Sequence, residues 1–227
     1  MNRFISFLFI IPAILFLGCN NKKDKNYNRN TGTIYFDYQI TGKEGDDNLT
    51  VMLQYRDRGE DGNGIPIPNV MLDGEMLLAD STKMTGIFYE SHKPIAGFAG
   101  THIITFTDAN KKEYKEEFNF KPVVLLTPVA DTIQRNDFAL ELEGLEAKDY
   151  IRLLMTDTSF INNGINRVDA VTNGHMMITK DDLETLANGP VQLELIREYE
   201  RQVKNDTGAR GRLLITYSLK REFFLKD

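Results

Sequence analysis

One group of candidate metal ligands in this 227-residue sequence is Asp57-Arg58-Gly59-Glu60-Asp61-Gly62-Asn63-Gly64. Three carboxylates and Asn63 within one short run are the hard oxygen donors that calcium prefers, and the glycines permit a tight wrap. Asp57, Glu60, Asp61 and Asn63 are therefore the candidate ligands of a weak calcium loop. The EF-hand spacing fails, because the third position counted from Asp57 is Gly59 and the twelfth is Pro68. Without a metal, the same run reads as an acidic hairpin loop whose glycines supply positive φ.

Other chemistry finds less support. His92, His102 and His175 are the only histidines, and no two stand at a metal-ligand spacing. Ser91 beside His92 suggests a nucleophile and its base, but neighbours on a strand point to opposite faces. No G-x-S-x-G, P-loop or H-E-x-x-H motif occurs. Paired carboxylates are so common in an acidic chain that none singles itself out as an acid and base pair. The sequence thus assigns no catalytic residue, no metal centre and no cofactor, and the chain reads as non-enzymatic. For sugar stacking there is no tryptophan, which leaves Tyr27, Tyr35, Tyr55, Tyr89, Tyr199 and Tyr217 as platforms or as strand-pairing aromatics.

The N-terminus is more specific. Arg3 precedes an uncharged 14-residue run, residues 4–17, apolar throughout except for Ser6, and Asn20-Asn21-Lys22-Lys23 stops it. That run falls short of the ~20 residues that span a bilayer, so residues 1–18 read as a signal peptide. The single cysteine of the chain, Cys19, closes the run. Phe16-Leu17-Gly18-Cys19 resembles the lipobox of bacterial lipoproteins, with Phe16 standing where leucine is usual. The resemblance implies that Cys19 becomes the mature N-terminus, carries a diacylglyceryl group on its sulfur and an amide-linked acyl chain such as palmitate, and leaves no free thiol. Two or more acyl chains give lasting membrane attachment where one alone does not.

Removing residues 1–18 takes Arg3 with it and moves the net charge from −6 to −7; residues 19–30 carry +3, so residues 31–227 carry −10. So acidic a body is a poor match for nucleic acid. Residues 20–30 hold almost no apolar side chains and read as a flexible tether, reaching ~36 Å stretched and ~18 Å as a random coil. Asn20 after the cysteine, in place of aspartate, favours the outer membrane, on either its periplasmic or its surface face.

From Thr33 the apolar period is two, the mark of half-buried strands. Ile34, Phe36, Tyr38 and Ile40 alternate with polar neighbours, as do Leu49, Val51, Leu53 and Tyr55. Further strands are predicted near residues 67–72, 75–79, 84–89, 102–107 and 114–120, with Tyr114, Glu116, Phe118 and Phe120 on one face. Pro122 and Pro128 bracket a plausible junction. A second set follows near 123–127, 138–142, 151–155, 168–172, 191–195 and 213–219. Thr179-Lys180-Asp181-Asp182 predicts an N-cap and a short helix ending near Gly189-Pro190. The fold expected is all-β: two tandem immunoglobulin-like antiparallel β-sandwich domains, residues 31–121 and 122–227, after the lipidated tether of residues 19–30. Residues 178–219, with Thr179-Lys180-Asp181-Asp182, Gly189-Pro190-Val191 and Leu213-Ile215-Tyr217-Leu219, are similar to the C-terminal immunoglobulin-like domain of Bacteroidota-type lipoproteins.

These readings converge on a cell-envelope lipoprotein held in the membrane through its lipid, serving as a binding or accessory module for an envelope protein partner. A glycan is the alternative ligand. A fimbria-like structural subunit, cut after Arg29 and donating a strand, is the other alternative. Asp80-Ser81-Thr82 and Asp131-Thr132-Ile133 also resemble the short O-glycosylation sequon of exported Bacteroidota proteins.

Overall fold

A computed structural model describes residues 34–108, 110–146, 149–158, 164–204 and 210–227. The leader, Cys19, the tether with Arg29, and Tyr27 lie outside the described residues.

The described chain is almost entirely strand. Its first half holds β1 (Ile34–Lys43), β2 (Asn48–Asp57), β3 (Met71–Leu72), β4 (Glu75–Met76), β5 (Ala79–Thr82), β6 (Gly86–Pro94), β7 (Gly100–Thr107) and β8 (Glu113–Phe120). The second half holds β9 (Val124–Leu125), β10 (Thr132–Gln134), β11 (Phe138–Glu143), β12 (Tyr150–Asp157), β13 (Ile165–Ala170) and β14 (His175–Ile178), then α1 (Lys180–Glu184), β15 (Gly189–Gln202) and β16 (Gly211–Lys226). The predicted alternation is what buries these strands: β8 shows Tyr114, Glu116, Phe118 and Phe120 buried and every residue between them exposed. The cap is as expected, with the Thr179 hydroxyl accepting from the Asp182 amide and the Asp182 carboxylate accepting from the Thr179 amide.

The all-β class is observed, with sandwich-packed sheets. One nine-stranded sheet runs β13-β12-β15-β16-β1-β2-β6-β5, with β10 also beside β16. Two small sheets, β14-β11-β9 and β4-β3-β7-β8, complete the fold, and their apolar residues join the large sheet in a single continuous core. Phe106 of β7 lies 5.4 Å from Phe36 and 5.2 Å from Tyr55 between ring centroids, and Phe120 of β8 lies 6.0 Å from Tyr217.

Two relationships depart from a plain antiparallel tandem. β1 pairs with β16 in parallel, Phe36 opposite Gly211 and Lys43 opposite Ser218, while pairing antiparallel with β2 on its other side. β10 also joins β16 in parallel, Thr132 opposite Phe224. The β15–β16 hairpin, paired from Gly189 and Leu225 to Gln202 and Arg212, is therefore shared by strands from both sides of residue 121. Sixteen residues of β16 span about 50 Å.

Candidate functional site

The polar groups that the fold does concentrate lie across β16, β1 and β2. Asp37 is the fourth residue of β1, near its leading end, with a side chain 1% exposed. Its Oδ2 accepts from Arg56 Nη2 of β2 at 2.6 Å, and its Oδ1 from Arg212 Nε of β16 at 3.0 Å; Gln39 Nε2 donates to both oxygens at 3.2 Å. Burial by itself would raise the Asp37 carboxyl, but the hydrogen bonds from Arg212 and Gln39 and the charges of Arg212 and Arg56 outweigh it and hold it below the ordinary carboxylate range. Asp37 in turn raises Arg212. The ion pair is a tie between three strands, and it leaves no proton to transfer near neutrality.

The acidic loop, residues 57–64, stands beside this tie. Arg56 Nη1 donates to the Glu60 carbonyl at 2.8 Å, Arg212 Nη1 lies 3.9 Å from Glu60 Oε1, and Arg58 Nε lies 3.8 Å from Asp57 Oδ2. Asp57, Glu60, Asp61 and Asn63 do line one open hollow of about 600 Å³. Among the described residues, however, no three His, Cys, Asp or Glu side chains group closely enough to hold a metal ion. The loop also closes on its own backbone: the Asp57 amide donates to the Asn63 carbonyl at 3.1 Å, and Gly62 packs so closely that a Cβ there would lie 1.7 Å from the Asp57 carbonyl oxygen.

Two more buried charges tie the small sheets to the β15–β16 hairpin. Glu116 of β8 accepts from Arg201 Nη1 at 2.6 Å and from the Lys204 amide at 2.7 Å. Arg197 of β15 pairs with Asp149 at 2.7 Å and donates to the Lys121 carbonyl at 3.1 Å and the Gly144 carbonyl at 3.3 Å. Sequence alternation marked Glu116 as sharing a face with three aromatics, but nothing local revealed that Arg201 meets it.

The histidines stand apart. His92 is exposed between Thr50 and Glu90, and Ser91 points to the other face. His102 stacks on Phe98 with ring centroids 3.7 Å apart, its two nitrogens 2.7 Å from Asp73 Oδ2 and from the Phe98 carbonyl. His175 is exposed on β14.

The sugar-stacking residues need correction. Tyr55, Tyr89 and Tyr217 are core residues at 0%, 4% and 4% exposure, so none offers a face to a ligand. Tyr55 packs edge-on against Phe36 and Tyr38, and the Tyr89 hydroxyl donates to the Ile67 carbonyl. Tyr35 and Tyr199 are half-buried, whereas Tyr150 and Phe224 are exposed aromatics that alternation alone did not single out. Ser81 and Thr132 are both exposed, on β5 and β10.

The large sheet has one face in the core and one open. Met52, Leu214, Ile196 and Leu154 lie half-exposed on the open face, among ion pairs such as Arg152 with Glu198 and Lys220 with Glu194. Its two edges are blunted. β5 is four polar or small residues long, and β13 turns Arg167 and Asp169 inward, where they pair at 2.9 Å.

A scan against protein-family models and a search of curated proteins each return no match. Among solved structures, the chain is similar to the tandem Ig repeats of Dlar at 10% identity and TM-score 0.24, covering 85% of this chain and 96% of that one. It is similar to titin A168–A169 at 11% identity and TM-score 0.26, covering 86% and 98%. It is also similar to the adhesin InvE of Yersinia pseudotuberculosis at 12% identity and TM-score 0.22, covering 82% and 59%. These are loose likenesses between strand-rich chains, and the fold above rests on the registers of this chain alone. Among the described residues, no helix is long and apolar enough to cross a membrane.

Proposed function

We propose that this chain is a non-enzymatic lipoprotein of the bacterial cell envelope, anchored in the outer membrane through Cys19 and presenting a rigid β body to an envelope protein partner. The observation that carries the reading is the join between leader and body. A lipobox-like Cys19 is followed, a short polar tether later, by a strand held in the middle of the large sheet between β16 and β2. A lipid on Cys19 would thus hold the body through a strand paired on both sides, with about 50 Å of sheet extending away from it.

The half-exposed open face is the surface best suited to a partner, since both sheet edges are blunted. Blunted edges also weigh against the fimbria-like alternative, which needs an edge that accepts a donated strand. The glycan alternative retains Tyr150, with Tyr35 and Tyr199 half-buried.

The test is palmitate labelling and membrane fractionation of cells making the full chain and its Cys19→Ser variant. Label and outer-membrane sedimentation in the first, and neither in the second, support the anchor. Equal behaviour of the two chains rejects it. A photo-cross-linker at Ile196 that captures a stoichiometric outer-membrane protein, while one at Ser81 does not, identifies the open face as the contact surface.

A further inference from the structure

The parallel pairing of β1 with β16 has a mechanical meaning. β1 starts beside Gly211 at the start of β16, whereas Lys226 stands at the far end of β16. The point where a tether joins the body and the far end of β16 therefore lie at opposite ends of one strand pair. Tension between those points runs along the strands. Hydrogen bonds between strands stand across the strand direction, so such tension loads every bond of the pair together, whereas a pull across the strands opens them one at a time.

We propose that β1 is a mechanical clamp that lets the body bear tension arriving through its N-terminal tether. Four features converge on it. β1 is flanked on both sides, by β16 over Phe36–Lys43 and by β2 over Ile34–Thr41, so sliding it out breaks two ladders at once. At its leading end the buried Asp37 is bonded to Arg56 on one neighbour and Arg212 on the other. At its trailing end Glu44 is bonded to Arg221 of β16, and the Glu44 amide donates to the Ser218 carbonyl at 2.8 Å. β16 itself is held along its length by β15 and near its end by β10, so load that reaches it is passed to the far half of the molecule rather than freeing the strand. The pins sit at both ends of β1, where sliding would begin and where it would be completed.

The source of the tension rests on the lipid-anchor reading above, but the clamp is a property of the body and is tested without lipid. Single molecules of the chain from Cys19 onward are stretched between DNA handles on thiols. One set pulls from Cys19 to Asp227→Cys, along the strands. The other pulls from Cys19 to Arg210→Cys, which lies at the same end as the start of β1 and so pulls the pair apart sideways; Arg210 is exposed, and its backbone carbonyl still accepts from the Phe36 amide. The lengthwise pull is expected to rupture at a severalfold higher force than the sideways pull. Glu44→Gln is expected to lower the lengthwise force and leave the first sideways opening unchanged, since that opening starts at the other end. Equal forces in the two directions overturn the clamp, as does a lengthwise force insensitive to Glu44→Gln. Loss of palmitate labelling would instead remove the anchor and leave the directional difference in place.

Discussion

Asp37 Oδ1 lies 3.0 Å from Arg212 Nε, across 175 residues of chain, on the parallel pair that joins the first described strand to the last. A carboxylate 1% exposed, held between two guanidiniums, is costly to leave half-paired. Asp37→Asn keeps the shape and removes the charge, stranding Arg56 and Arg212. The expected loss is about 3 kcal/mol of unfolding free energy, toward the low side for a buried pair because both arginines are partly exposed. Denaturant unfolding of the two chains measures it.

The same group gives a pH signature. Its folded value lies below the ordinary aspartate value of 3.8, so its contribution is complete above 3.8, is lost progressively between 3.8 and the depressed folded value, and is gone below it. The melting-temperature gap between the natural chain and Asp37→Asn should therefore be constant from neutrality down to about 3.8, narrow as pH falls from there toward the depressed folded value, and stay closed below it. Other depressed carboxyls, Glu146 and Asp227, are present in both chains and cancel in the difference. A gap that closes as pH rises would assign the effect to another group.

Gly211 marks the closest approach of β16 to β1. A Cβ there would lie 2.6 Å from both Phe36 Cβ and the Phe36 carbonyl oxygen, and the backbone cannot yield as a flexible side chain would. Gly211→Ala is expected to cost about 1–3 kcal/mol by forcing the strands apart. Gly45→Ala, in an open turn with nothing within 4 Å, serves as comparison and carries only the strain of its positive φ.

Residues 31–121 and 122–227, made separately, should each lack a partner for a central strand: the first loses β16 beside β1, and the second loses β1 beside β16. Neither piece is expected to give a cooperative thermal transition alone, and mixing the two should restore one. Two independent transitions, unchanged on mixing, would show that the shared hairpin is dispensable.

Much of this architecture was legible in the order of residues. The period-two runs at residues 34–40, 49–55 and 114–120 read as strands because burial of alternate side chains leaves its mark in local composition. The Thr179 cap and the short helix were equally local, since a capping box closes within four residues. The segments that escaped notice, β5, β10 and β14, are three or four residues long and too brief to show a period.

The pairing of those strands was not legible. Alternation is the same whether a half-buried strand lies parallel or antiparallel to its neighbour, so nothing in Ile34–Lys43 announces Gly211–Ser218 as its partner. Asp37 reads as an outward polar residue until Arg56 and Arg212 close over it. Tyr55, Tyr89 and Tyr217 read equally well as surface aromatics, and the acids of residues 57–64 as metal ligands. By itself the sequence determined the longer strands, the short helix and the apolar residues that those strands bury, because those depend on neighbours along the chain. Only the tertiary structure decided which strands meet, which charges are paired and which aromatics are sealed in the core, because those contacts are made by groups brought together across as many as 175 residues.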